Sequence, residues 1–566
     1  MEESYEESRK NKILALKEHY GNLPNYYSLA RSLKRKLILY CGPTNCGKTW
    51  NALNKLVESD SGTYLSPLRI LALEGQEEIE KRGKLCSYLT GPEREIKADA
   101  KFSSSTIQML DLTTVVDTVV IDEVQCIADI SSGWAYTQAV LGAPARNVLM
   151  TGSLDIVPAI KMLAELLGEE LEIIELKKLT ELIVQNKVTN FKSLGPATAI
   201  IAFSRRDVLS LKNLIEQSDP EKKVSIIYGN LSPKVRKEEA SRFREGESQN
   251  LVSTDAIAMG LNLPIERVIF YTTTKFDGKE ERSLTPSEIR QIGGRAGRYG
   301  KFPKGYVSAF DDNSLKLIQE AFAKDLEIIE PPFYVMPDEF HVRLISDALE
   351  TPRLQTTIEA FTELVSFDHD KIFVTADTDD LLELAYIVDN ILGDYELIEN
   401  KLMLARAPCD PANMDMRVAY EDMLKAYMSS SEEKLEYLFN LDNWIGLKPT
   451  ANSRQLLPAE IRLKNLTVYS WLAYRFPHVF RQVEKMEKVS EFLSNFIEGC
   501  LRAQQPSDKM NEFLKDQIKP IRKDLPKSKA DIKKIDVSKI TIKKPMSSNV
   551  QDRPTLEPSR SYVRQK

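Results

Sequence analysis

Three short stretches of this sequence combine residue types at spacings suited to one chemistry, the handling of a phosphate chain. The first is Gly42, Pro43, Thr44, Asn45, Cys46, Gly47, Lys48 and Thr49, which fits G-x-x-x-x-G-K-[ST] between a predicted strand and a predicted helix. Glycines let the backbone curl until successive N–H groups point at phosphate oxygens, and the following helix adds the positive end of its dipole. Lys48 then places a charge on the β- and γ-phosphates, and the Thr49 hydroxyl ligates Mg²⁺. Cys46 occupies a variable position of the loop, so its thiol is expected to have no chemical role. The plain alternative is a glycine turn between strand and helix, against which both pattern and context argue.

A magnesium-bound nucleotide needs a second anchor, an acidic residue at the end of a neighbouring buried strand. The run 119–125, ValValIleAspGluValGln, presents Asp122 and Glu123 at the carboxyl end of such a strand, where parallel α/β sheets bind their ligands. Asp122 is expected to hold the Mg²⁺ through its water shell, and Glu123 to polarise the attacking water. An acidic pair after a strand, taken alone, is more often the start of a helix; its place downstream of the phosphate loop reverses that preference.

The third stretch, 291–298, reads GlnIleGlyGlyArgAlaGlyArg. Arg295 and Arg298 are spaced i, i+3, predicting one helical face. Guanidinium groups delivered only in a closed state stabilise charge on a transferring phosphoryl group, by about 10³–10⁵ in rate. The competing reading is a basic helix end paired with surface acids.

These residues need rigid elements to position them. Between 36 and 178, strand-like runs at 36–41, 62–65, 85–89, 101–104, 117–121, 147–150 and 171–176 alternate with amphipathic stretches such as 68–82 and 156–167, predicting a parallel sheet covered by helices. A second cycle runs through 197–203, 206–217, 223–228, 233–244, 249–253, 266–272, 286–297 and 305–310. Two tandem α/β domains result, 36–178 and 179–330, with their boundary near 179–194. Residues 1–35 read as a polar helical segment. Beyond 330, the stretches 353–366, 379–392, 416–428 and 460–475 carry apolar residues at helical spacing, so 331–502 is expected to be mostly α. Residues 503–566 are lysine-rich with several prolines and are expected to be disordered.

The phosphate loop, AspGluValGln at 122–125, ThrGlySer at 151–153, SerThrAspAlaIleAlaMetGly at 253–260 and 291–298 follow the order and spacing of superfamily 2 helicases. With 64–74 (TyrLeuSerProLeuArgIleLeuAlaLeuGlu), 90–94 (ThrGlyProGluArg) and 469–477 (TyrSerTrpLeuAlaTyrArgPhePro), the chain resembles the suppressor-of-var-three family, the ATP-dependent RNA helicase of the mitochondrial degradosome and its bacterial relatives. The resemblance implies two RecA-like domains that clamp ATP, followed by a helical region closing a ring over the strand. It makes Lys48 and Thr49 the Walker A lysine and magnesium ligand, and Asp122 and Glu123 the Walker B pair. Gln125 couples nucleotide state to 151–153, Asp255 and Gly260 contact ribose and phosphate, and Gln291, Arg295 and Arg298 are sensor and arginine fingers. RNA contacts fall at Ser66, Pro67, Arg69, Thr90, Gly91, Thr106, Ser204, Arg205, Gly229 and Thr254. For Ser66 or Thr106 alone a helix N-cap is the commoner role, and Tyr469, Trp471, Tyr474 and Phe476 at their spacing favour core packing over base stacking. Unwinding with 3′→5′ polarity, for a partner exoribonuclease, is implied as well. The family is said to lack the upstream glutamine motif that reads adenine, and none is found here, so base selectivity is expected to be loose. A DNA or RNA–DNA translocase in repair, or a nucleotide-switched scaffold recruiting a nuclease, are the other readings of the same motor.

The 566 residues carry 77 Lys+Arg against 83 Asp+Glu, a formal net charge of −6, which read alone opposes nucleic-acid binding. Residues 503–566, however, hold 16 Lys+Arg and 8 Asp+Glu, so a basic arm is averaged with an acidic body. The six cysteines show no C-x₂-C spacing, which favours free thiols in a reducing compartment. There is no run of 18 apolar residues, so no membrane span is expected. The acidic start MetGluGluSerTyr lacks the apolar core of a secretory signal. With the short stretch before the first strand, it predicts a cytoplasmic protein, a bacterial-type or untargeted member.

Overall fold

The computed structural model describes residues 11–12, 16, 23–91, 93–219, 221–229, 233–258, 263–276, 280–298, 300–365, 372–442, 444, 446–450 and 454–503. Gly260 and nearly all of the basic segment 503–566 lie outside these residues, as does most of 1–22. In the part of 1–35 that is described, a 3₁₀ turn, Leu23–Tyr26, and a short helix, Ser28–Ser32, precede the first sheet.

That sheet contains β1 (Lys36–Cys41), β2 (Gly62–Ser66), β3 (Cys86–Leu89), β4 (Arg94–Glu95), β5 (Phe102–Thr106), β6 (Val116–Ile121), β7 (Ala145–Gly152) and β8 (Glu170–Glu175) in the order β4-β3-β5-β2-β6-β7-β1-β8. Every pairing is parallel except β3 with β4. Strand β1 shows how the sequence builds the layers. Leu37, Leu39 and Cys41 pack into one core with Tyr136 and Ile160, while Ile38 and Tyr40 point the other way onto Leu53 and Leu56. Alternate side chains thus bury both faces, as a parallel sheet under two helix layers requires.

The second sheet contains β9 (Glu181–Val184), β10 (Thr198–Ile201), β11 (Val224–Ile227), β12 (Asn250–Ser253), β13 (Arg267–Phe270) and β16 (Lys304–Ala309) in the order β11-β12-β10-β13-β16-β9. All its pairings are parallel. Between β13 and β16 a small hairpin joins β14 (Thr274–Phe276) to β15 (Glu281–Ser283). Strand β9 lies inside the expected boundary region 179–194 and pairs with β16, Leu182 opposite Gly305. The chain therefore crosses from β8 to β9 in only a few residues.

One expected helix is shorter than its pattern. The segment 286–297 is helical only over Pro286–Gly293, started by a capping box in which the Thr285 side chain accepts from the Glu288 N–H and Glu288 accepts from the Thr285 N–H. It stops because the chain must pass beneath β16. Gly297 has φ +78°, and a Cβ on Gly305 would stand 2.4 Å from the Ala296 carbonyl carbon. Arg295 and Arg298 consequently lie in a turn and not on one helical face.

Beyond 330, β17 (Phe333–Val335) and β18 (Phe373–Thr375) pair parallel, and the other regular elements of the described chain are helices. Phe333, Ile345, Phe361 and Phe373 share the first sheet's core. A separate helical core unites Leu384 and Val388, Leu402, Tyr420, Leu466, Tyr469, Leu472 and Leu493. Tyr469 is fully buried there and Phe476 nearly so, in line with packing; Trp471 and Tyr474 are only partly covered. Among the described residues no helix is long and apolar enough to cross a membrane, and all six cysteines are free.

Candidate active site between the two sheets

The loop after β1 reaches its shape through two glycines. Gly42 has φ +152°, and a Cβ there would sit 2.4 Å from the Leu176 carbonyl oxygen, while Gly47 has φ +88° and opens the helix Lys48–Val57. Both conformations are costly for residues with a side chain. Lys48 Nζ donates to the Gly42 and Pro43 carbonyls, each at 2.9 Å, which places its charge inside the loop.

Asp122 stands at the end of β6, buried, and accepts three hydroxyl hydrogen bonds: from Thr49 at 2.9 Å, Thr151 at 2.5 Å and Tyr64 at 2.7 Å. Burial, reinforced by the neighbouring Glu123, pushes the Asp122 carboxyl above its ordinary range against the pull of these donors. Thr151 also accepts from the Glu123 N–H at 3.0 Å, so one hydroxyl locks the acidic pair to the ThrGlySer segment. Glu123 adopts φ +56°, and Gln125 Nε2 donates to its carboxylate at 2.6 Å. The direct link to 151–153 thus runs through Thr151, with Gln125 holding Glu123. Thr49 and Asp122 together offer hard oxygen donors of the kind Mg²⁺ takes, one or two from protein with the rest from phosphate and water.

From the second sheet, Arg295 reaches Glu123 at 3.6 Å and donates through Nε to the Ala258 carbonyl at 2.9 Å; burial lowers its pKa. Two cavities flank the phosphate loop. One, of about 830 Å³, includes Thr49, Trp50, Asp122 and Arg298, and the other, of about 490 Å³, includes Gly42, Pro43, Gln125, Gln291 and Lys178; Thr44, Lys48, Glu123 and Arg295 line both. The expected loop, acidic and arginine residues therefore converge. Asp255 does not: it lies in a 3₁₀ turn and pairs with Lys275 at 3.6 Å.

Asn45 is a site residue whose role the motif alone does not reveal. Its Nδ2 donates toward the carbonyls of Gly294, Arg295 and Gly297 at 3.2, 3.3 and 3.1 Å, joining the two sheets. Thr44 beside it packs so closely that a Cβ on Gly294 would lie 2.9 Å from the Thr44 side chain. Tyr64 also escapes the motif pattern, although a tyrosine at the carboxyl half of a buried strand is a signal that its hydroxyl needs a polar partner.

The expected RNA contacts occupy other strand ends. Ser66, Thr90 and Thr106 lie at or after the ends of β2, β3 and β5, which are adjacent in the sheet, whereas the loop and the acidic pair follow β1 and β6. Ser204, Gly229 and Thr254 follow β10, β11 and β12, adjacent in the second sheet. Several of these side chains are already engaged. Ser66 is fully buried and donates to the carbonyls of Leu68 and Ser105 at 3.0 and 3.3 Å. It caps no helix. Thr90, fully buried, bonds within its turn to Glu93, and Thr106 caps its 3₁₀ turn with no side-chain bond. Ser204 caps the helix Arg205–Ser218 through the Asp207 N–H, and the Thr254 hydroxyl accepts from the Ala256 N–H. Gly229 has open space where a Cβ would be, Arg69 is exposed and Pro67 lines the smaller cavity. Arg205 is paired with Glu460 at 2.7 Å. That pair ties the second sheet to the helix Leu456–Arg475, whose other end meets the first: Arg475 lies 3.4 Å over the Trp471 ring and donates to the Gly91 carbonyl at 3.2 Å.

Three family models match in chain order: the DEXQ-box helicase domain of Suv3 over residues 24–176, the helicase conserved C-terminal domain over 176–300, and the ATP-dependent RNA helicase SUV3 C-terminal domain over 456–503. The mitochondrial ATP-dependent RNA helicase SUV3 of Oryza sativa subsp. japonica is 34% identical, covering 84% of this chain and 81% of its own. The mitochondrial DExH-box ATP-dependent RNA helicase DExH16 of Arabidopsis thaliana is 32% identical, at 84% and 83%. The mitochondrial SUV3 of Saccharomyces paradoxus is 31% identical over 84% of this chain, which spans 66% of that relative's length. The structure of S. cerevisiae Dbp5 bound to RNA and ADP BeF3 covers 52% of this chain and 84% of its own at 19% identity and a TM-score of 0.40, too distant to place residues. The relatives correct one expectation. All of those named here are mitochondrial, against a cytoplasmic protein; an acidic run of a few residues describes composition and is no address.

Proposed function

The chain belongs to the SUV3 family of ATP-dependent RNA helicases, and from that premise we propose that it hydrolyses ATP between its two sheets to move 3′→5′ along RNA and remodel duplexes for a partner exoribonuclease in RNA degradation. One observation carries the reading. Glu123 from the first sheet's domain and Arg295 from the second's face each other at 3.6 Å beside Lys48 and the loop, so a water-activating base and a charge-stabilising guanidinium come from different domains.

In this reading the loop N–H groups and Lys48 bind the β- and γ-phosphates. Glu123, held by Gln125, accepts a proton from the attacking water. Arg295 and Arg298, from the second sheet, stabilise negative charge on the transferring group, and Gln291 orients it. Thr49 and Asp122 would hold Mg²⁺, which would supply charge neutralisation at the phosphate oxygens. The ends of β2, β3 and β5 and of β10 to β12 form the track for the strand, where backbone amides and a few cations hold phosphates without reading sequence. Arg69, Ser204 and Gly229 are exposed members of this track; Ser66 and Thr90 shape their turns.

A strand-displacement assay with 3′- and 5′-tailed RNA and DNA duplexes tests this. Wild-type protein is expected to unwind the 3′-tailed RNA, with loss in Lys48→Ala and Glu123→Gln. Unwinding that persists in both variants refutes the site, and preference for DNA of equal length indicates a repair translocase instead. ATP turnover at background with and without RNA leaves the nucleotide-switched scaffold.

A further inference from the structure

We infer that Lys178, on the segment joining the two sheets, binds the terminal phosphate of the triphosphate and so distinguishes ATP from ADP. The inference rests on the ATP site proposed above and adds to it a residue outside its motifs. Lys178 lies between β8 and β9, two residues after Leu176. That residue is fixed against the phosphate loop: its N–H donates to the Cys41 carbonyl at 2.8 Å, and its own carbonyl oxygen fills the space where Gly42 lacks a side chain.

Lys178 lines the cavity of about 490 Å³ together with Gly42, Lys48, Glu123, Gln291 and Arg295. The cavity across the loop holds Thr49 and Asp122 and lacks Lys178. Lys178 therefore shares a cavity with Lys48, Glu123, Gln291 and Arg295, four groups assigned above to the transferring phosphate, of which Lys48, Glu123 and Arg295 also reach the cavity across the loop.

The other cations of this cavity have partners. Lys48 is bonded to two loop carbonyls, Arg290 to the Ala321 carbonyl at 2.7 Å, and Arg295 to Ala258 and Glu123. Among the described residues Lys178 has neither a hydrogen bond nor an ion pair, and burial pulls its pKa down to about 8 with Cys46 as its only opposing influence. The acids on the cavity wall are Glu123 and Asp155. Asp155 Oδ1, Gln125 Oε1 and Ser153 Oγ are buried there without partners. A half-buried cation with no ion pair is costly unless a ligand completes it. A terminal phosphate supplies the anion for Lys178 and an acceptor for the Ser153 hydroxyl, whereas ADP leaves Lys178 unpaired.

Trace labelling of the full-length protein with acetic anhydride near pH 7.5, read by mass spectrometry of the Lys178 peptide, tests this directly. An amine with its pKa near 8 is more reactive than an ordinary lysine. A non-hydrolysable ATP analogue with Mg²⁺ is expected to suppress its labelling several-fold, and ADP to leave it little changed. Equal suppression by both, or by neither, overturns the inference. Lys178→Met should weaken binding of the analogue about tenfold with little effect on ADP, and Lys178→Arg should restore most of it. Fluorescent-nucleotide binding to wild-type protein separates the two levels. If neither nucleotide binds, the ATP site itself is wrong and the inference falls with it; if both bind and Lys178 labelling does not move, only the role of Lys178 falls.

Discussion

Asn45 donates one amide toward three carbonyls of the turn that carries Arg295, so its side chain measures whether the two sheets are correctly apposed. The contacts are long, between 3.1 and 3.3 Å, and a net contribution of about 1–2 kcal/mol is reasonable for the set. Asn45→Ala is expected to lower kcat for ATP hydrolysis about tenfold with KM little changed, because the arginine is delivered less often while the phosphate loop stays intact. A kcat within experimental error of wild type in steady-state ATPase assays refutes this. The same reasoning separates Asn45 from its neighbour Cys46, whose buried thiol is pushed to a higher pKa by desolvation and has no comparable link across the sheets.

At the scale of elements, the helix Leu456–Arg475 touches both lobes. Glu460 near its start holds Arg205 of the second sheet, and Arg475 at its end holds the Gly91 turn of the first. With a rise of about 1.5 Å per residue these anchors are roughly 22 Å apart along the helix, enough to bridge two small domains. Any change in lobe separation must strain or break one of them. Both surround turns assigned to the RNA track, so Arg205 has a competitor for phosphate. Glu460→Ala is expected to tighten binding to single-stranded RNA and to steepen its log–log salt dependence by about 0.7, the value for one more neutralised phosphate. Fluorescence anisotropy across a salt series measures both; weaker binding with an unchanged slope would mean that the pair only braces the helix.

For the whole molecule, charge is distributed unevenly. The net of −6 sums an acidic body with the segment 503–566, where 16 cations face 8 anions. Within the described residues, the helix Val483–Ala503 closes the helical core. Removing 504–566 is expected to weaken RNA binding and flatten its salt dependence while ATP turnover without RNA is retained, since counterion release scales with phosphates neutralised. Unchanged RNA affinity in the truncated protein, measured at low salt, rules the arm out. The helical region itself is less separate than its sequence position implies. Phe333, Phe361 and Phe373 complete the first sheet's core, so the nucleotide-binding lobe depends on residues far downstream of it.

The phosphate loop, the acidic pair at the end of β6 and most strands of both sheets are legible in the sequence by itself, because each depends on chemistry within a few consecutive residues. A glycine curl, an apolar run ending in acids and a period of two in buried strands are local properties. Tertiary structure decided everything that pairs distant segments. It ended the helix at Gly293, so that Arg295 and Arg298 do not share a helical face, because the chain must pass under β16 against Gly305. It gave Asn45 its three carbonyls, Asp122 its tyrosine, and Arg205 its glutamate. It also placed Lys178 in the cavity beside the loop, without a hydrogen bond or ion pair among the described residues. Sequence periodicity specifies which face of an element is buried, but which side chains meet across two lobes is set only when those lobes pack.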